Sequence, residues 1–336
     1  MQILSNVHER NMVSWSKNKP NVVVLSADLT ASTEIALFKK TYPKRFFSMG
    51  IAEQNMLSFA GGLSREGFIP FIHTFAVFIY RRSYDQIAMS VAYPNLPVKM
   101  FGFLPGITTP GGATHQAIED IAVMRALPNM TILECGDATD VESVLDVVYN
   151  VDGPVYVRML RGAIPRLFNE PMQINNARVL SEGSEVLILS TGICTEEAMR
   201  AVCILKNQGL SIEHRHVTTL KPFNDQKLFA AINRVKYGII TMENHTLISG
   251  LGSAVAEVIA EQGSGKKLIR IGLPDTFAHG ASRKYLIREY GIDAIALVRA
   301  CEKLTGKRIN ITEADLEQVD LTGDVQEIKQ TRAEDL

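Results

Sequence analysis

The sequence contains no CxxC pair, no internal repeat, no low-complexity tract and no excess of either charge. Its four cysteines, Cys135, Cys194, Cys203 and Cys301, show no metal-ligand spacing. That argues against a cysteine zinc site and for free thiols in a reducing cytoplasm. A net charge of -1 provides no electrostatic attraction toward nucleic acid or an anionic membrane. The longest uncharged apolar-rich stretch, Phe68 to Tyr80, is too short to span a bilayer as a helix. Glu9, Arg10 and Lys17 fall among the first residues, where a secretory leader would need an apolar core. These absences predict a cytoplasmic chain that engages neither nucleic acid nor membrane.

What the sequence does hold is apolar material for two cores, at 46% of 336 residues. Unbroken apolar runs suit parallel strands covered on both faces: Val22-Val23-Val24-Leu25, Val98-Lys99-Met100-Phe101 and Met130-Thr131-Ile132-Leu133. A second set includes Val186-Leu187-Ile188-Leu189, Leu210 to Glu213, Tyr237 to Thr241 and Leu268 to Ile271. Between strands, stretches such as Glu53 to Leu63 and Gln116 to Ala126 carry apolar residues at helical spacing. The fold class predicted is α/β, with two doubly wound domains. The boundaries are a first domain at 1–170, a linker at 171–182 marked by Pro171, Asn175 and Asn176, a second domain at 183–310 and a polar tail at 311–336.

Five strings occur in order in the first half: Ser26-Ala27-Asp28-Leu29-Thr30-Ala31-Ser32, Gly50-Ile51-Ala52-Glu53-Gln54, His73-Thr74-Phe75-Ala76-Val77-Phe78, Gly112-Ala113-Thr114-His115-Gln116 and Arg125-Ala126-Leu127-Pro128-Asn129-Met130. Together they resemble the pyrimidine-binding domain of transketolases, and residues Val186 to about Leu304 resemble the C-terminal domain of that family. The resemblance implies thiamine diphosphate as cofactor. It lacks the earlier domain that holds the diphosphate through Mg2+ (or Ca2+), marked in the family by Gly-Asp-Gly and a downstream Asn. The nearest string here, Gly136-Asp137-Ala138, reads instead as a strand-to-helix turn with Asp137 as N-cap. The chain therefore resembles the C-terminal subunit of a split transketolase, with the metal held mainly by a separate N-terminal subunit in an α2β2 heterotetramer.

In this family a glutamate bonded to N1' of the aminopyrimidine favours the imino tautomer that deprotonates the thiazolium. The resemblance gives Glu53 that role. By residue type alone Glu53 also fits a surface acid on the first turn of a helix. Phe75 and Phe78 fall on the aromatic wall against the pyrimidine, Phe78 at the stacking position, although an aromatic pair at this spacing also suits an ordinary core. Asp28 and Ile51 are placed at the cofactor by the same strings. Arg81 and Arg82 follow closely, open to a pocket, solvent or interface role. His115, in a glycine-rich turn, matches a histidine suited to proton transfer and oxyanion contact with substrate. His214, His216, His245 and His279 have no such frame and read as core, surface or interface residues.

Ser32 and Arg161 fall on the positions that bind a sugar phosphate in the family, and a guanidinium there can hold phosphate bidentately. Three other expected groups are missing. Ser5 stands near the site of an arginine, Phe103 and Leu104 occupy the region of a histidine, and Gly111 replaces an aspartate. The leading reading is two-carbon ketol transfer from a ketose or ketose phosphate to an aldose. The alternatives are the β subunit of a 2-oxoacid dehydrogenase E1 component, a related thiamine-dependent synthase, and a silent regulatory partner of a thiamine enzyme.

Overall fold

The structure is a computed structural model that describes residues 2–319 and 321. Its strands among the described residues are β1 (Gln2–Ser5), β2 (Val22–Ser26), β3 (Phe46–Ser48), β4 (Ile69–Phe75), β5 (Lys99–Phe103), β6 (Thr131–Glu134), β7 (Val155–Met159), β8 (Ala163–Arg166), β9 (Arg178–Ser181), β10 (Val186–Ser190), β11 (Ile212–His216), β12 (Thr219–Lys221), β13 (Gly238–Thr246) and β14 (Leu268–Leu273). β2, β5, β6, β7, β10, β11 and β13 are buried along their whole length, as apolar runs such as those of β2 and β10 require, although β11 is mostly polar. The first sheet has the order β12-β6-β7-β5-β4-β2-β3 and the second β14-β13-β10-β11-β9, while β1 and β8 form a two-stranded ribbon. Both large sheets are parallel except at one edge each, where β12 and β9 run antiparallel. The α/β reading with two doubly wound sheets is what the chain forms.

The segment boundaries differ from the sequence reading in three places. Residues 171–182, read as linker, include β9, which bonds to β11 through His214 to His216. β12 lies in the second half of the sequence yet extends the first sheet by pairing with β6. The tail expected from residue 311 begins as packed structure: Ile311 and Leu316 are buried, and Thr312 with Asp315 forms a capping box on the helix Glu313–Glu317. The remainder of that tail, 320 and 322–336, lies outside the described residues.

Asp137 caps the helix Ala138–Tyr149 by accepting from the Asp140 amide at 2.8 Å. Its other oxygen accepts from the amides of Leu167 and Phe168, both at 2.8 Å. The helix expected from Gln116 begins only at Asp120, because Gln116 and Ile118 are tied to the second domain instead.

The seam between the domains is polar and centres on Arg158 of β7, which has no exposure. Its Nε donates to Asp120 at 2.9 Å and Nη1 to Glu134 at 2.5 Å, while Nη2 donates to the carbonyls of Ala117 at 3.2 Å and Asn244 at 2.9 Å. Tyr156 donates to Asp120 at 2.6 Å, and Thr191 of the second domain to Glu134 at 2.8 Å. Burial pushes the Glu134 carboxyl up, and the Arg158 charge opposes that shift. A second chain of bonds runs beside it, with His216 between Asp140 at 3.0 Å and Thr195 at 2.7 Å.

Removing the guanidinium leaves two buried carboxylates without their cation, the costly way to break a buried ion network. Arg158→Met should therefore destabilise the chain by about 3–5 kcal/mol, seen as a lowered urea midpoint. A midpoint unchanged from wild type would show that the network contributes no net stability.

Candidate active site

Glu53 opens the helix Glu53–Arg65, where the helix dipole favours an acid, yet only 4% of the residue is exposed. The approach to it turns at Gly50, whose φ of +68° suits glycine. Glu53 is paired with Arg82, whose Nη1 lies 2.7 Å from Oε1. Of the two neighbouring arginines, Arg82 is thus the one at the carboxylate. Its guanidinium also lies 3.8 Å from the centre of the Phe78 ring, a cation over an aromatic face. Phe75 and Phe78 stand 5.7 Å apart, and the His115 ring meets Phe78 edge-on at 5.5 Å and Phe75 at 6.3 Å.

These side chains arrive from four places at the carboxyl edge of the first sheet. Phe75 ends β4, Phe78 and Arg82 lie on the helix Ala76–Gln86 that follows, Glu53 starts the helix after β3, and His115 is on the loop after β5. The strand order reverses between β2 and β4, so the cluster occupies the topological switch point, where open parallel sheets bind ligands. Asp28 lies just past the end of β2, exposed and with a φ of +59°. Ile51 is 74% exposed, two residues before the buried glutamate.

His115 is half-buried, with Nδ1 2.9 Å from the Thr114 hydroxyl. Gly111 has a structural reason to lack a side chain, since a Cβ there would stand 2.8 Å from the Cβ of His115 and 2.9 Å from its Cγ. Phe103 faces inward, against a pair of buried histidines that sequence reading had not singled out. His8 and His73 bring their Nε2 atoms to 2.8 Å, and both rings pack on Phe101 and Phe103. Burial holds both imidazoles neutral, His73 at about 3. Their signal in the sequence was weak, because isolated histidines in a helix and a strand carry no motif.

Ser32 and Arg161 are brought together, with Arg161 Nη1 3.4 Å from the Ser32 carbonyl. The Arg161 Nε is buried and has no protein partner. Glu34 lies near Arg161 and accepts from the Gly162 amide at 2.7 Å. Burial raises the Glu34 carboxyl to about 7, against the opposing pull of the Gly162 amide and the Arg161 charge. Glu34 was absent from the sequence reading, as nothing in its local pattern marks it as buried.

Fold and site define the class: a two-domain α/β protein with a buried carboxylate and an aromatic wall at the switch point of its first sheet. Residues 4–166 match the transketolase pyrimidine binding domain and residues 175–297 the transketolase C-terminal domain. A chain of Methanocaldococcus jannaschii named as a transketolase C-terminal section is 40% identical over 86% of this chain and 92% of its own length. A 6-deoxy-6-sulfo-D-fructose transketolase subunit of a Clostridium species is 37% identical over 88% and 92%. Among solved structures, a split gene transketolase described as an inactive beta4 tetramer superposes with a TM-score of 0.80 at 38% identity, covering 90% of this chain and 98% of that one. The chain belongs to the transketolase family. Membership implies dependence on thiamine diphosphate. No helix among the described residues is long and apolar enough to cross a membrane.

The raised Glu34 carboxyl has a signed consequence. Its value is about 7 in the folded chain against 4.5 for the free group, so the folded state binds more protons between these values. That contribution is full at low pH and is lost as pH rises through about 7. Glu34→Gln keeps an acceptor for the Gly162 amide but does not titrate. Urea midpoints should therefore shift in favour of the variant, relative to wild type, between about pH 5 and pH 8. A pH-independent difference would contradict the assignment.

Proposed function

We propose that this chain is the C-terminal subunit of a split transketolase. It would transfer a two-carbon ketol unit from a ketose or ketose phosphate to an aldose, with thiamine diphosphate lying between this subunit and its partner. The observation that carries the reading is the buried Glu53 carboxylate beside the Phe75 and Phe78 rings. A carboxylate so little exposed is expensive to maintain, and a helix first turn offers the same residue a solvated position at no such cost. A silent partner would have no use for it.

The residues present fit the cofactor's pyrimidine half. Glu53 would hold the aminopyrimidine N1', Phe78 would pack on its ring with Phe75 behind, and Asp28 and Ile51 would border it. When bound, the cofactor supplies the nucleophilic carbon for ketol transfer. The chain's own contribution would be to place the Glu53 carboxylate at the aminopyrimidine N1', to present the His115 imidazole for proton transfer at substrate oxygens, and to anchor an anionic substrate end at Ser32 and the unpartnered Nε of Arg161. Arg82 supplies the counter-charge that makes a buried carboxylate tenable.

The diphosphate and its Mg2+ or Ca2+ are assigned to the partner subunit. Asp137, the acid of the string nearest to a diphosphate motif, spends both oxygens on three backbone amides and so has a structural duty. Ile51 supports a surface completed by another chain, since a large apolar side chain exposed beside the carboxylate gains from being covered. The relative solved as a β-only tetramer is described as inactive, which also supports a two-subunit enzyme. An α2β2 heterotetramer, with each cofactor between unlike subunits, satisfies every half-site.

In the complex with the diphosphate-binding subunit, Glu53→Gln should slow exchange of the cofactor C2 proton by about 100-fold or more while assembly persists. Wild-type exchange in that variant would remove Glu53 from its role. Substrate choice is the second test. Phe103 is committed to the histidine pair and Gly111 to the His115 pose, so neither position can offer the polar contacts usual for polyol substrates. Pentose phosphates should then be poorer than a differently substituted ketose by about 10- to 100-fold in kcat/KM. Equal steady-state efficiency on xylulose 5-phosphate with ribose 5-phosphate would refute this.

A further inference from the structure

The second sheet has its own switch point, between β10 and β13, but the crevice there is filled by the first domain. Thr191, past the end of β10, bonds to Glu134, and Asn244, near the end of β13, meets the loop that leaves β5. That loop, residues 104 to 118, carries His115. We propose that the second domain is a positioning device for His115, and that Asn244 is its principal positioning residue. The proposal rests on the reading of His115 as a substrate-facing group.

The Asn244 amide is matched to the loop atom for atom. Its Nδ2 donates to the Pro105 carbonyl at 3.1 Å, and its Oδ1 accepts from the Ile107 amide at 3.0 Å. Gly106 lies between these two, with a φ of +60°, and a Cβ there would come within 2.2 Å of Oδ1. Only glycine lets the loop backbone close on this side chain. The loop base is also pinned to itself by the Gly106 amide on the Ala117 carbonyl at 2.8 Å, and to β13 by the Thr246 amide on the Ile118 carbonyl at 2.8 Å. The backbone carbonyl of Asn244 accepts from Arg158, so the clamp stands on the buried network.

The far end of the loop is held as well. Gln116 Nε2 donates to the carbonyls of Thr109 and of His279 in the second domain, both at 3.2 Å. The segment around His279 passes so close that a Cβ on Gly280 would stand 2.8 Å from the Pro110 carbonyl. On the other side, Arg81 donates to the Ala113 carbonyl at 2.7 Å and is itself fixed by two bonds of 2.8 Å to Glu119. His115 therefore sits between two anchored points. A misplacement of about 1 Å costs a reacting group roughly 100-fold, so a glycine-rich loop needs such anchoring if its imidazole is to act.

Amide hydrogen exchange on the full chain tests the clamp without the partner. Asn244→Ala should speed exchange across residues 104 to 116 by about tenfold or more while β10 and β11 keep wild-type protection. Gly280→Ala, which pushes on Pro110 from outside the core, should loosen the same loop and serves if Asn244→Ala does not fold. In the complex with the diphosphate-binding subunit, both variants should lose ketol transfer by about tenfold or more, with C2 proton exchange changed less than about twofold. Unchanged loop exchange in both variants overturns the clamp. A loosened loop with wild-type transfer overturns the positioning role. His115→Ala in the same assay locates that failure: a normal rate means the reading of His115 was wrong, and a lost rate means the clamp does not serve it. Equal loss of transfer and C2 exchange would mark a merely structural role.

Discussion

The structure depends most on one buried guanidinium. Arg158 leaves the middle of the first sheet and satisfies a carboxylate on the helix Asp120–Ala126, a carboxylate at the end of β6, the carbonyl of Ala117 and the carbonyl of Asn244. A charge with no exposure is tolerable only when its donors are met, and here they are met from both domains at once. The two sheets are thus not free to choose their relative placement. Moving one against the other takes the Asn244 carbonyl from Arg158 and the Thr191 hydroxyl from Glu134 inside a buried seam.

That constraint decides which of the two switch points the fold fills with its own residues. Two doubly wound sheets offer two switch points, each a place where ligands bind by default. One is plugged by the seam around Arg158, Glu134 and Asn244. The other stays open and collects Glu53, Phe75, Phe78, Arg82 and His115. The second domain has spent its binding position on holding the first, and the loop after β5 is the part of the first domain that it holds.

The arrangement of charge within the open site follows the same logic. Glu53 is buried with a single cationic partner, and that partner is half exposed and spread over an aromatic ring, where it keeps its water on one side. Arg161 keeps an unpartnered buried nitrogen while Glu34 fixes the backbone beside it. A buried donor without a protein partner is open to a ligand, and the Arg161 nitrogen is one of several such atoms among the described residues.

The sequence by itself determined strands such as β2, β5, β6 and β10, because an apolar run without alternation is most stable in a sheet covered on both faces. It also holds the glycine-rich turn and the five strings in order, on which the expected roles of Glu53, Phe78 and His115 rest. It could not show β9 or β12, since a short edge strand is defined by the partner it finds and not by its own periodicity. Residues 311 to 319 read as polar tail because a single turn of helix buries only Leu316 and leaves its charges outside. Above all, tertiary structure decided which charges are interior. Arg158, Glu34, Glu53 and Asn244 look like any surface residues in a linear string, for burial of a polar group depends on partners far along the chain, and local pattern records nothing of them.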